Sequence, residues 1–159
     1  MSAVPGLTQP YGVGYGQQLP FIGVNPAAGA NFTRSFDGYG IRRLLALVFT
    51  LTTDGNAANR YVTVEYQGKD ANAFTVNAAT VVVTASSTQR YAGDIWKGDS
   101  EWNTGTDVLF GLANIMLMPG DTLNIIVANI QVGDTLTKIR GVEERYPLNP
   151  DILPIAQSE

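Results

Sequence analysis

The chain has 159 residues, a net charge of −4, no cysteine and no histidine. Without those residue types it cannot build a Ser-His-Asp or Cys-His triad, a thiol nucleophile or a Cys/His metal centre, and it lacks the usual general base near neutral pH. Mild acidity with scattered Lys and Arg also argues against binding phosphates, so no direct nucleic-acid partner is expected.

A chain of this length can bury enough surface to fold as one domain without a metal or a disulfide. The first 30 residues have a composition of their own. They carry Gly6, Gly12, Gly14, Gly16, Gly23 and Gly29 with Pro5, Pro10, Pro20 and Pro26, which disfavour helices and central strands. Leu7, Tyr11, Tyr15, Leu19, Phe21 and Ile22 are interspersed, so residues 1–30 read as an extended arm that docks those side chains on a partner. Gly12-Val13-Gly14-Tyr15-Gly16 has neither the strand–helix setting nor the Lys-Ser/Thr of a phosphate loop. The N-terminus has no basic segment followed by an apolar one, so export by a signal peptide is not expected. The longest apolar run, Leu44 to Phe49, is far short of the roughly 20 residues that span a bilayer, so no membrane partner is expected.

From there the pattern is that of strands. Leu45, Leu47, Phe49 and Leu51 alternate with Ala46, Val48, Thr50 and Thr52, and both sets are apolar or β-branched, which predicts a strand covered on both faces. Asp54-Gly55-Asn56 marks a turn, and the half-buried pattern of Asn59 to Gln67 suggests a hairpin with the strand before it. Short strands follow at Ala73–Val76 and Ala79–Tyr91, the latter with the run Thr80 to Thr84. Val108–Met118 is apolar and interrupted by Gly111; Pro119-Gly120-Asp121 has the residues of a type II turn. Leu123–Ile130 and Thr135–Arg145 complete the set, with a bulge expected at Gly141 because Leu136 and Ile139 are out of phase. About eight strands with Gly-rich turns and no amphipathic helix give an all-β fold, a β-sandwich or jelly roll over residues 31–146, with extended N- and C-terminal arms, the latter over 147–159.

The most site-like segment is the polar loop after Tyr91. It groups Asp94, Trp96, Asp99, Glu101 and Trp102, residues that could hold a sugar by stacking and hydrogen bonding or line a subunit interface. Its spacing is not that of a calcium loop, and Asp94 with Glu101 would serve as a glycosidase pair only across a cleft. Asn31-Phe32-Thr33 is a glycosylation sequon with no secretory context. Arg42-Arg43 and Glu143-Glu144-Arg145 read as solvated strand ends or as ion pairs between subunits. No catalytic residue, cofactor site or metal site is assigned.

The stretch from Ile41 to Tyr146 resembles a family of small β-rich virion structural proteins of tailed bacteriophages. The resemblance is carried by Leu45-Ala46-Leu47-Val48-Phe49-Thr50-Leu51-Thr52-Thr53, Ala57-Ala58-Asn59-Arg60-Tyr61-Val62, Met118-Pro119-Gly120-Asp121, Ile130-Gln131-Val132-Gly133-Asp134 and Val142-Glu143-Glu144. It implies a capsid decoration (cement) protein without enzymatic activity. Such a protein would be made in the host cytoplasm and carried in the virion, would form a homo-oligomer with a trimer as the leading count, and would bind a major capsid protein between capsomers. The alternatives are a head–tail or tail component and a carbohydrate- or receptor-binding β-sandwich.

Overall fold

The computed structural model describes residues 16–38, 40–70, 73–78, 81–96 and 102–146, with backbone alone at 73–78 and 102–103. Among these residues the chain forms eleven strands: β1 (Gln17–Ile22), β2 (Phe32–Ser35), β3 (Ile41–Thr52), β4 (Tyr61–Gln67), β5 (Ala73–Ala78), β6 (Thr88–Asp94), β7 (Trp102–Asn103), β8 (Asp107–Gly111), β9 (Met116–Leu117), β10 (Thr122–Ala128) and β11 (Thr135–Tyr146). They make two sheets over one apolar core, a β-sandwich as the strand patterning predicts. The larger sheet runs β1-β11-β3-β6-β8-β7, with β9 paired to the start of β3; the smaller runs β2-β10-β4-β5. All pairs are antiparallel except β6–β8, whose parallel pairing uses residues 95–106 as its crossover.

Alternation places the core. In β3, Leu47, Phe49 and Leu51 point inward; from the small sheet Val62, Val64 and Tyr66 of β4 and Leu123, Ile125 and Val127 of β10 meet them. Phe49 stacks on Tyr91 with ring centroids 4.8 Å apart and meets Phe110 edge-on at 6.4 Å, an arrangement aromatic quadrupoles favour. Pro119-Gly120 forms the expected turn, with Gly120 at φ 93° and Asp121 N–H donating to Met118 O at 3.1 Å.

Four expectations are corrected. The β-domain does not begin at residue 31: residues 17–22, expected in the arm, pair along β11 as an edge strand, and Phe21 is buried in the core. Composition hid this because Pro20 sits where a proline costs nothing. Gly23 N–H donates to Ile139 O at 2.9 Å, and the register carries on through Phe21↔Gly141 and Leu19↔Glu143. The odd residues therefore bond β11, and Pro20 turns its nitrogen to the open edge.

β3 and β4 are not a hairpin; they lie in different sheets, joined by a crossover at residues 53–60. The valine run does not form a strand with Thr88–Asp94. Val83 alone bridges Arg60, since the chain is here crossing back from the small sheet to the large one, and a turn at Ala85–Ser86 intervenes. Finally, the extra residue in β11 lies earlier than Gly141, and a second register shift, between Val142 and Glu143, puts its extra residue on β3. The β3–β11 register slips between Thr137 and Arg140, where Lys138 has φ 55°, and this puts both Leu136 and Ile139 in the core. Gly141 has a different role: a Cβ there would overlap the Phe21 ring.

Two outcomes follow. Gly141→Val should lower the thermal midpoint by roughly 3–10 °C, from overpacking worth about 1–3 kcal/mol. Phe21→Ala should cost about 3–4 kcal/mol in a denaturant melt, and deletion of residues 1–30, which removes all of β1, at least as much. A truncated chain as stable as the full one would show that β1 adds nothing to the sheet.

Candidate functional site

Strand alternation decides which side chains face away from the core on the large sheet. Because Gly141 and Phe21 point inward, Arg140 and Val142 of β11 and Pro20 and Ile22 of β1 point outward. The register then aligns two rows across the sheet. One is Ile22, Arg140, Val48, Ala92, Leu109; the other is Pro20, Val142, Ala46, Asp94, Gly111. Ile22 is 79% exposed and Val48 36%, and Pro20, Ile22, Ala46, Val48 and Val142 line one shallow apolar depression. Of the second face of β3, expected to be covered, Val48 and Thr52 are exposed among the described residues, Ala46 is half-buried and Thr50 is buried. Arg140 is exposed within this face and has no ion-pair partner among them.

One end of the sandwich, beside this face, carries the charge doublets, and they are not solvated ends but pair within the chain. Glu143 is wholly buried and is met by Arg34 of β2 at 3.2 Å, Arg42 of β3 at 3.5 Å and Arg145. Arg34 lies over the Phe21 ring at 3.7 Å, so its charge is both paired and stacked. Burial pulls the Arg34 guanidinium below its ordinary range; Glu143 opposes this, and the neighbouring Arg42 and Arg145 add to it. Glu144 binds Arg43 (Nε at 2.9 Å), Tyr146 Oη at 2.6 Å and Gly16 N–H at 2.9 Å. Burial pushes the Glu144 carboxyl up, but these hydrogen bonds outweigh it and hold the group below the usual carboxylate range.

The opposite end holds a second buried cluster. Arg60 and Asp134 are both wholly buried. Arg60 Nε and Nη2 bind the two Asp134 oxygens at 2.9 Å each, Nη2 also reaches Asp54 at 2.7 Å, and Nη1 donates to Asn56 O at 2.8 Å and Ala58 O at 2.7 Å. Every guanidinium N–H is used. Asp134 also accepts from Asp54 N–H and Gln131 N–H at 2.8 Å each. Burial raises its carboxyl, and the Arg60 hydrogen bonds with those backbone donors more than reverse the effect, leaving it below the ordinary value.

Of the predicted loop residues, the structure brings Asp94 and Trp96 together. Asp94 Oδ1 accepts from Trp96 N–H at 2.8 Å, closing a turn, and Trp96 is 74% exposed. Trp102 lies on β7, paired with Leu109, and its side chain is outside the described residues, as are Asp99 and Glu101. Among the expected arm anchors, Leu19, Phe21 and Ile22 belong to β1, with only Phe21 buried; Leu7, Tyr11, Tyr15 and the tail 147–159 are outside the described residues. Asn31 of the sequon accepts from Val127 N–H at 2.9 Å and has a structural role. No group of three or more acidic residues able to hold a metal occurs among the described residues. Sequence reasoning missed Arg140 and Arg60. An isolated arginine carries no local signal, and only the strand register reveals its neighbours. Comparison with known protein families, curated proteins and solved structures found no match.

Both ion clusters tie stability to pH in the same direction. Asp134 and Glu144 have depressed values in the folded chain, so their contribution is complete above the unfolded carboxylate range and is lost as pH falls below about 4 through the folded values. Thermal midpoints should be level from neutral pH to about 5 and drop in acid. Asp134→Asn should lower the neutral midpoint by about 10 °C and flatten the acid limb. A wild-type acid limb unchanged by this substitution would exclude Asp134 as its source.

Proposed function

We propose that this chain is a non-catalytic structural protein of a tailed-phage virion, a capsid decoration protein that stabilises the head by binding the major capsid protein between capsomers. The observation that carries the reading is the apolar surface around Ile22 and Val48 on the large sheet, open among the described residues. A strand with two apolar faces, of which the core covers one, fits a protein completed by its assembly, since contiguous exposed apolar surface marks interaction sites. The resemblance of residues 41–146 to small phage structural proteins supports the same class. Buried ion pairs at both ends of the sandwich suit a part whose task is to hold its shape under load.

The test is cosedimentation of the purified chain with empty heads of its phage. Wild-type chain should pellet with heads, and Val48→Lys and Ile22→Lys, with fold intact by circular dichroism, should bind at least about tenfold more weakly. Pelleting with tails and not with heads would move the protein to the tail. Failure to bind either would sink the virion reading.

One observation favours a second reading, a carbohydrate-binding module: the exposed Trp96, whose backbone N–H is bound by the Asp94 carboxylate. A glycan array decides it. Sugar binding abolished by Trp96→Ala would establish the module; an array without signal would dismiss it.

A further inference from the structure

We propose that the outer face of the large sheet pairs with the same face of a second copy of this chain about a twofold axis running along β3. The inference rests on the reading of that face as a docking surface and names a second copy as its occupant from the face's own pattern; the pair so formed is then the unit that binds heads, and Val48→Lys and Ile22→Lys weaken head binding by splitting it. A twofold contact requires a surface complementary to itself, so that what stands on one side of the axis fits what stands on the other.

Centred on β3, the outward row reads Ile22 on β1, Arg140 on β11, Val48 on β3, Ala92 on β6 and Leu109 on β8. Rotation about β3 sets Val48 against the second Val48 and Ile22 against the second copy's Leu109. It sets Arg140 over Ala92, a side chain small enough to leave room for it. Asp94 is two residues along β6 from Ala92, about 7 Å in a strand. Arg140 can span that offset once the sheets meet at about 10 Å. Each copy then contributes one unpaired cation and receives one carboxylate, so two Arg140–Asp94 pairs flank an apolar centre. Asp94 keeps its second oxygen for this, because Oδ1 is the atom that accepts from Trp96 N–H. A row with the arginine and the carboxylate on the same side of β3 would leave both charges unmatched across the axis; here they lie on opposite sides.

Charge exchange tests this directly. Arg140→Asp and Asp94→Arg should each abolish self-association, with dimer dissociation constants at least about a hundredfold weaker by sedimentation velocity, since each sets like charges together twice. Mixed in equal amounts the two variants should form a heterodimer by native mass spectrometry, because every contact is then complementary. Val48→Lys should also give a monomer, and it keeps the test independent of any folding defect that Asp94→Arg causes in its turn. The proposal is overturned by a wild-type chain that is monomeric at every concentration, by a trimer, or by dimers that survive both Arg140→Asp and Val48→Lys. A monomer that still coats heads would overturn this pairing and leave the virion reading standing. A charge-sensitive dimer that ignores heads would do the reverse.

Discussion

The sandwich depends on the clamp that Arg60 forms with Asp134 and Asp54. A two-sheet fold must carry its chain from one layer to the other, and here two such crossings, β3 to β4 and β10 to β11, lie at the same end. Arg60 enters β4 and Asp134 precedes β11, so one guanidinium ties both crossings together. Removing a charge from water costs several kcal/mol unless it is paired and hydrogen-bonded, and here all donors and both carboxylate oxygens are matched. The cluster therefore acts less as a source of stability than as a register device. A slip of one residue in β4 or β11 would leave a buried charge bare.

The far end repeats the solution with different parts. Glu143 holds arginines from β2, β3 and β11, which fastens the edge of the small sheet to the large one, while Glu144 collects Arg43, Tyr146 and the backbone before β1. Polar staples thus close both ends, aromatic and aliphatic packing fills the space between, and the outer face of the large sheet is what the described residues leave uncovered. The same strand, β3, gives its inward side to Phe49 and its neighbours and its outward side to Val48. Folding and the association proposed above would in this way be two uses of one alternating pattern.

How far the sequence could be read follows from the range of each interaction. Alternation is local, so the strands around Leu45–Thr52, Tyr61–Gln67 and Thr122–Ala128 were legible, and so was the turn at Pro119-Gly120. Sheet membership is not local. Nothing between Asp54 and Arg60 says that the chain changes layers, which is why a hairpin was the natural expectation. β1 was obscured because Pro20 looks like a breaker until the hydrogen-bonding phase of the edge is known. The double-faced β3 was visible as a pattern, but which residues share its outer face, Arg140 and Asp94 among them, required the pairing of β11 and β6. The exposed Trp96 could be found by composition; that Asp94 is partly spent on its own turn could not.

Pro20 has a consequence for how copies of this chain can accumulate. An open strand edge is a template onto which the next molecule's backbone can be laid, and then the next, without limit. At the middle of β1 the outward-facing backbone offers no donor, so this end of the large sheet is a poor seed for such growth. The β2 edge of the small sheet on the same flank is only four residues long. On this flank, any pairing of copies is thereby moved from main chain to side chains, from a process that propagates to a contact that saturates once its complement is bound. For any chain present in many copies, that is the difference between a countable assembly and a fibre.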